Sequence, residues 1–195
     1  IGAYGSTIDF SRPSNTSKAV DKDFADLLTQ MEGGQVTAIL IHGANPVYDY
    51  FDGARFANAL KKVKTSVSFS ERMDETTQLV KYILPTHHYL ESWGDAEPKG
   101  GIVSFIQPTI NPLFKTRAYQ DTLLKWSGNA TEYHDYHKEF WTSKLGGEIA
   151  FLNALNAGVI ENAAAAGGSY SGGATAGAAA AVSATPAGGK DALEG

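Results

Sequence analysis

The sequence predicts an α/β domain in which a parallel sheet of the βαβ type is flanked by helices and followed by a long Ala/Gly-rich tail. The apolar run Val36–Ile41 is typical of a strand buried on both faces. Helical periodicity on both sides of this run, and two further strand-like segments joined by short connections, indicate parallel strands with crossover helices. The composition then changes completely toward the C-terminal end.

The chain is predicted to begin with a loop over residues 1–17, which are polar and contain Gly, Ser, Pro and Asn. This loop leads into the α/β domain, residues 18–160. Apolar side chains recur at helical spacing over Phe24–Met31, and Gly33-Gly34 ends that helix.

After the first strand, the order helix, strand, short helix, strand is expected. Asp52 is a candidate cap for a helix whose buried face carries Phe56, Leu60 and Val63. The remaining segments of this part are a strand at Thr65–Phe69, a short helix at Glu75–Lys81 and a short strand at Tyr82–Leu84.

The rest of the domain is less regular. Glu91–Pro112 is rich in Gly and Pro and is predicted to be an extended loop over the sheet edge. Amphipathic helices are expected at Ala118–Trp126 and Glu132–Leu145, and a further short helix is expected at Glu148–Leu155.

The last segment, residues 161–195, is predicted to be a low-complexity linker. Within it, 19 of the 27 residues of Ala163–Gly189 are Ala or Gly. Such a composition buries too little apolar surface to offset the entropy of ordering the chain.

Composition excludes several kinds of function. The net charge of −5 without a basic stripe argues against nucleic acid. The chain has no cysteine, so it holds no thiolate-ligated iron–sulfur cluster. No apolar run approaches the ~20 residues that a membrane-spanning helix needs.

The turn His42–Pro46 is the first candidate site. At the carboxyl end of a parallel strand, the backbone amides of Gly43 and Ala44 are suited to a phosphate or carboxylate, and Asn45 is suited to bonding its own turn. The alternative is a strand-to-helix turn without a ligand.

Two further groups of residues are weaker candidates. Asp74 and Thr76 are suited to cap a helix start, which favours an anion, although simple capping without a ligand is the better explanation of these residues. His134 and His137 lie three apart on a predicted helix near Asp135 and Glu139, which is a possible metal site; the alternative is a pair of exposed helix histidines. His87 and His88 are adjacent, so their side chains should diverge.

Three stretches resemble the molybdopterin oxidoreductase superfamily: IHGANPVYDYFDGARFANAL, ERMDETTQLVKYILPTHHYLESWGDAEPKGG and FIQPTINPLFKTRAYQDTLL. They lie in the family's order between Gly33 and Trp126. The resemblance implies an α/β domain that helps to hold a bis-pterin guanine dinucleotide. The family-equivalent cofactor-binding positions are His42, Gly43, Asn45, Pro46, Glu75 and Thr76.

The pattern is most similar to polysulfide-type reductases and, within the superfamily, to the molybdopterin-like iron–sulfur subunit of alternative complex III. Asp95-Ala96-Glu97-Pro98 stands where catalytic members commonly have an Asn, and acidic Asp95 and Glu97 would repel a pyrophosphate facing them. The resemblance therefore implies a piece of a longer chain with a vacant pterin pocket, no cofactor of its own and no catalytic residues, whose parent subunit carries iron–sulfur clusters elsewhere.

The function so implied is that of a non-catalytic structural domain in a quinol:cytochrome c or quinol:oxidase oxidoreductase. Its partners would be a quinol-binding membrane subunit and multihaem cytochromes c, on the periplasmic side of a bacterial inner membrane. The alternatives are the cofactor-binding domain of a catalytic molybdenum reductase of the polysulfide or thiosulfate type, and a small anion-binding α/β module.

Overall fold

The computed structural model describes residue 7, residues 12–16 and residues 18–161. These residues form a mixed α/β structure with one parallel and one antiparallel sheet, each of three strands. The predicted linker, apart from Glu161, and most of the predicted leading loop lie outside the described residues, so both remain predictions.

The first half of the chain builds the parallel sheet, which confirms the predicted parallel strands flanked by helices. The sheet has the order β1-β2-β3 with every pair parallel. Its elements are α1 (Asp21–Glu32), β1 (Ala38–Ile41), α2 (Pro46–Asp49), α3 (Gly53–Leu60), β2 (Thr65–Ser68) and β3 (Tyr82–Ile83). A single 3-10 turn, Thr77–Leu79, replaces the helix predicted over Glu75–Lys81.

Helix α3 begins as predicted, because the side chain of Asp52 accepts a hydrogen bond from the backbone amide of Arg55 at 3.0 Å. The helices α1 and α3 then pack against the same sheet face and close a hydrophobic core. Its buried members are Leu28, Met31, Ile41, Phe56, Ala59, Leu60 and Val63. The apolar periodicity of both helices therefore pointed to the correct face.

The first strand differs from its prediction. The apolar run predicts that β1 is buried on both faces, but β2 is the central strand and β1 is an outer one. Ile39 and Ile41 face the core, whereas Leu40 is 49% exposed. The physical reason is that α1 and α3 cover one face of this strand, and no described element covers the other.

The second half forms an antiparallel sheet that sequence analysis missed. Its elements are β4 (Gly94–Lys99), β5 (Ile102–Ile106), α4 (Tyr119–Trp126), α5 (Tyr133–Leu145), α6 (Glu148–Ala157) and β6 (Val159–Glu161), with strand order β4-β5-β6. The extended loop predicted over Glu91–Pro112 is therefore wrong for its central part, which is a β-hairpin. The three predicted C-terminal helices are confirmed with small changes of boundary.

Pro98 explains why this hairpin was hard to predict. The residue lies on β4, an outer strand, at a register shift between Ala96 and Lys99. A proline is tolerated there because its missing N–H is not needed for a ladder bond. The second core, Val103, Trp141 and Phe151, lies between this sheet and the helices α5 and α6. Among the described residues, no helix combines the length and hydrophobicity that crossing a bilayer requires.

Candidate functional site

A cleft of about 650 Å³ opens at the carboxyl edge of the parallel sheet. Residues that directly follow β1, β2 and β3 form one side, and the start of β4 with residues of α4 and α5 forms the other. The residues that line the cleft include His42, Gly43, Asn45, Asp49, Phe69, Glu71, Asp74, Tyr89, Trp93, Asp95, Tyr119 and Tyr133. Ligands of open parallel sheets bind at this edge.

The turn after β1 contributes His42, Gly43 and Asn45 to the cleft, as the sequence suggested. Gly43 has a φ of +62°, a left-handed conformation that suits glycine. The ring of His42 lies 3.8 Å from that of Tyr119, centroid to centroid. Burial lowers the pKa of His42, so this side chain is a neutral aromatic group at neutral pH and not a cation for a phosphate.

The side chain of Asn45 is held by its neighbours across the sheet edge. Its Oδ1 accepts hydrogen bonds from the backbone amide of Thr76 at 3.1 Å and from the Thr76 hydroxyl at 2.7 Å. Its Nδ2 donates to Oε2 of Glu75 at 2.7 Å. The backbone amide of Val47 in turn donates to the Thr76 hydroxyl at 3.0 Å. The polar atoms of Asn45 thus join the turns after β1 and β2.

Pro46, Glu75 and Thr76 are the remaining positions that the family resemblance implied, and they are not among the residues that line the cleft. The amide of Asn45 holds the pKa of Glu75 below its usual value, so the carboxylate stays charged as an acceptor. Asp74 does line the cleft, and its Oδ1 accepts a hydrogen bond at 2.7 Å from the backbone amide of Thr77, the first residue of the 3-10 turn. Burial opposes this charge, but hydrogen bonds from Thr77 and Ser70 keep the pKa of Asp74 lowered.

The cleft is strongly acidic. Its described lining residues include the carboxylates of Asp49, Glu71, Asp74 and Asp95 and no lysine or arginine. Proteins that bind a pyrophosphate stabilise its negative charge with cationic side chains or with several free backbone amides. These lining residues therefore do not fit the anionic part of a guanine dinucleotide.

Asp95 also bonds two buried side chains, in a polar cluster that the sequence did not predict. Its Oδ2 accepts hydrogen bonds from Nε2 of His137 at 3.0 Å and from Nε1 of Trp141 at 2.7 Å. His137 is only 2% exposed, and its Nδ1 has no hydrogen-bond partner among the described residues. His137 and Trp141 are four residues apart on a predicted helix, and this spacing indicates that the two side chains lie on the same helix face. Their acceptor lies 42 residues earlier and could not be identified from spacing.

This geometry corrects the metal hypothesis. His137 is committed to Asp95, whereas the ring of His134 lies 4.5 Å from that of Trp93, so the two histidines do not share a ligand position. No group of three metal-ligating side chains occurs among the described residues. His87 and His88 diverge as expected: Nδ1 of His87 bonds the Thr116 hydroxyl at 2.6 Å, and Nδ1 of His88 accepts from a backbone amide.

The cluster predicts an acid dependence of stability. The hydrogen bonds from His137 and Trp141 lower the pKa of Asp95. Because this pKa is about 3.9 in an unfolded chain, the carboxylate stabilises the fold above that value, and the stabilisation is lost as the pH falls through the folded pKa. We expect the free energy of unfolding to fall in both the unsubstituted chain and Asp95→Asn when the pH is lowered from about 5 to about 3. The fall should be larger in the unsubstituted chain, by up to about 1 kcal/mol.

Urea titrations at both pH values measure this difference. Glu139→Gln is the matched control, because Glu139 is an exposed carboxylate on α5 outside the cleft, and it should keep the acid dependence of the parent. Equal acid dependence in the parent and in Asp95→Asn would contradict the assignment.

No protein-family model matches the chain. A search of characterised proteins finds a partial similarity to the menaquinone reductase, molybdopterin-binding-like subunit, of Nitratidesulfovibrio vulgaris strain Hildenborough. The two sequences are 33% identical over 95 residues, which cover 47% of this chain and 14% of the relative. The chain is a distant relative of part of that subunit.

The similarity supports a relationship to the molybdopterin oxidoreductases only at a coarse level. The name of the relative places that protein in quinone-linked electron transfer, and "molybdopterin-binding-like" describes that protein as a whole. The match spans about one-seventh of the length of the menaquinone reductase subunit. The activity and partners of the whole relative are therefore a basis for a proposal about this chain.

Proposed function

We propose that this chain is a non-catalytic structural domain of an electron-transfer subunit in a membrane-bound quinone-linked oxidoreductase, with a pterin-type cleft that holds no dinucleotide. The main support is the cleft itself. It lies at the ligand-binding edge of a parallel sheet, yet its described lining carries four carboxylates and no lysine or arginine. A group that carries a pyrophosphate would face uncompensated repulsion there.

The state of Asn45 supports the same proposal. In the superfamily, the turn that contains this residue approaches the dinucleotide. Here its Oδ1 already accepts two hydrogen bonds from Thr76, and its Nδ2 donates to Glu75. The side chain therefore stabilises the protein's own loops.

A role in a complex is supported by the exposed apolar side chains. Tyr48, Phe51, Leu113, Phe114 and Ile149 are each more than 70% exposed. Contiguous exposed apolar groups mark sites where proteins associate, and the neighbours Leu113 and Phe114 form one such pair. We propose that the partners are other subunits of the complex, namely a quinol-binding membrane subunit and multihaem cytochromes c, on the periplasmic side. Of the possible parents, the iron–sulfur subunit of alternative complex III is the one we propose.

Metal and pterin analysis of the full-length natural protein tests the proposal. We expect molybdenum and pterin far below one equivalent per subunit, while a catalytic molybdopterin oxidoreductase prepared in the same host gives stoichiometric values. Stoichiometric molybdenum would contradict the proposal and favour a catalytic reductase of the polysulfide type. In that case, substitution of Asn45 should lower the retention of the cofactor.

A further inference from the structure

Aromatic rings share the cleft with the carboxylates. Five aromatic residues line it: Phe69, Tyr89, Trp93, Tyr119 and Tyr133. The face of an aromatic ring attracts a cation within about 6 Å, and the attraction grows when both are shielded from water. Carboxylates on an open surface do not select a ligand, but a concave space walled by rings and carboxylates favours an organic cation over a hydrated metal ion.

Two of the four carboxylates that line the cleft have no partner among the described residues. The side chains of Asp49 and Glu71 form no hydrogen bond or ion pair with another described residue. Asp95 uses only Oδ2 for His137 and Trp141, so its Oδ1 is unused. Burial and the charge of Asp95 raise the pKa of Tyr133 to about 12, which keeps this hydroxyl neutral and able to donate.

We propose that the cleft binds a guanidinium group, carried by an arginine side chain on a peptide segment of a neighbouring protein. A guanidinium is planar, stacks on aromatic faces, bonds carboxylates with two parallel N–H groups and is less strongly hydrated than an ammonium. The volume of about 650 Å³ lies within the usual range of ligand sites and exceeds one side chain, so flanking backbone also fits. The proposal deepens the proposed function, since it names what the vacant pterin-type cleft binds.

Titration calorimetry on the 195-residue chain tests this inference with three probes. The first is a capped pentapeptide with one arginine between glycines, the second is acetyl-arginine amide, and the third is guanosine diphosphate. We expect the arginine peptide to bind most tightly, with an affinity that falls as salt is added. The same peptide with glutamine in place of arginine, and guanosine diphosphate, should give no heat of binding.

Two cleft variants identify the site. Asp49→Asn and Glu71→Gln remove one charge each from side chains without a described partner, so the fold should be unaffected. Each substitution should weaken the binding of the arginine peptide about fivefold. This is the upper end of the effect expected for the loss of one partly solvated ion pair. Glu139→Gln, outside the cleft, should leave the affinity unchanged.

The outcomes separate this inference from the proposed function. Equal affinities for the peptide and acetyl-arginine amide would overturn the peptide part and assign the cleft to a free cation. If neither arginine probe binds, the inference is overturned. The proposal of a subunit without molybdenum is unaffected by that result. Binding of guanosine diphosphate would overturn the inference and also count against the vacant pterin pocket.

Discussion

Trp141→Ala is expected to lower the free energy of unfolding by about 4 kcal/mol, the largest loss of stability expected in the antiparallel half. Trp141 is 4% exposed and belongs to the second core. Its ring packs edge-to-face on that of Phe105, with centroids 5.1 Å apart. Truncation therefore opens a cavity, and it also removes one of the two hydrogen bonds that Asp95 Oδ2 accepts.

The same substitution at Trp126 is the matched control. Trp126 ends α4 and is 54% exposed, so Trp126→Ala should cost no more than about 1 kcal/mol. Trp141→Phe separates the two contributions, because it keeps a ring and loses the donor; we expect about 1 kcal/mol. Urea denaturation followed by circular dichroism measures all three variants. Equal losses for Trp141→Ala and Trp126→Ala would contradict the second core.

Asn45→Ala is expected to destabilise the parallel half by about 2–3 kcal/mol. The substitution leaves the backbone amide and the hydroxyl of Thr76 without their shared acceptor. Thr76 is fully buried, so water cannot easily replace the lost partner. The turn after β1 would also lose its link to Glu75, and the cleft should lose its shape on that side.

Asn58→Ala provides the control for this change. Asn58 is an exposed residue of α3 whose amide oxygen accepts only from Lys61 Nζ at 3.2 Å, so little loss is expected. Asn45→Asp preserves the acceptor but places a second negative charge beside Glu75, and its stability should recover as the pH falls and the carboxyls are protonated. Wild-type stability of Asn45→Ala in urea would refute the proposed role of this side chain.

The parallel half was predictable because its signals are local. The periodicity of α1 and α3, the cap at Asp52 and the apolar run before His42 each report on neighbouring residues, and each pointed to the element that is present. The prediction failed where burial depends on distant parts. Whether Leu40 is covered depends on which elements pack on the second face of β1, and no pattern within the strand contains that information.

The antiparallel half was missed for two physical reasons. Pro98 and the glycines near it are typical of loops, and the outer position that makes the proline tolerable in β4 becomes apparent only once the sheet is known. The Asp95–His137–Trp141 cluster joins residues more than 40 positions apart, so no local pattern in the sequence connects them. The candidate positions fall into two groups. His42, Gly43 and Asn45 line the cleft, whereas Glu75 and Thr76 form hydrogen bonds with Asn45.

The outer strands β1 and β4 differ in how they resist aggregation. β4 carries alternating charged residues, Pro98 and a bulge, which are the devices that keep sheet edges from joining one another. β1 has the sequence AILI and, among the described residues, no strand on its outer side. Edge-to-edge association of the purified chain is therefore more favourable at β1 than at β4, and a covering subunit that pairs with β1 would suppress it there.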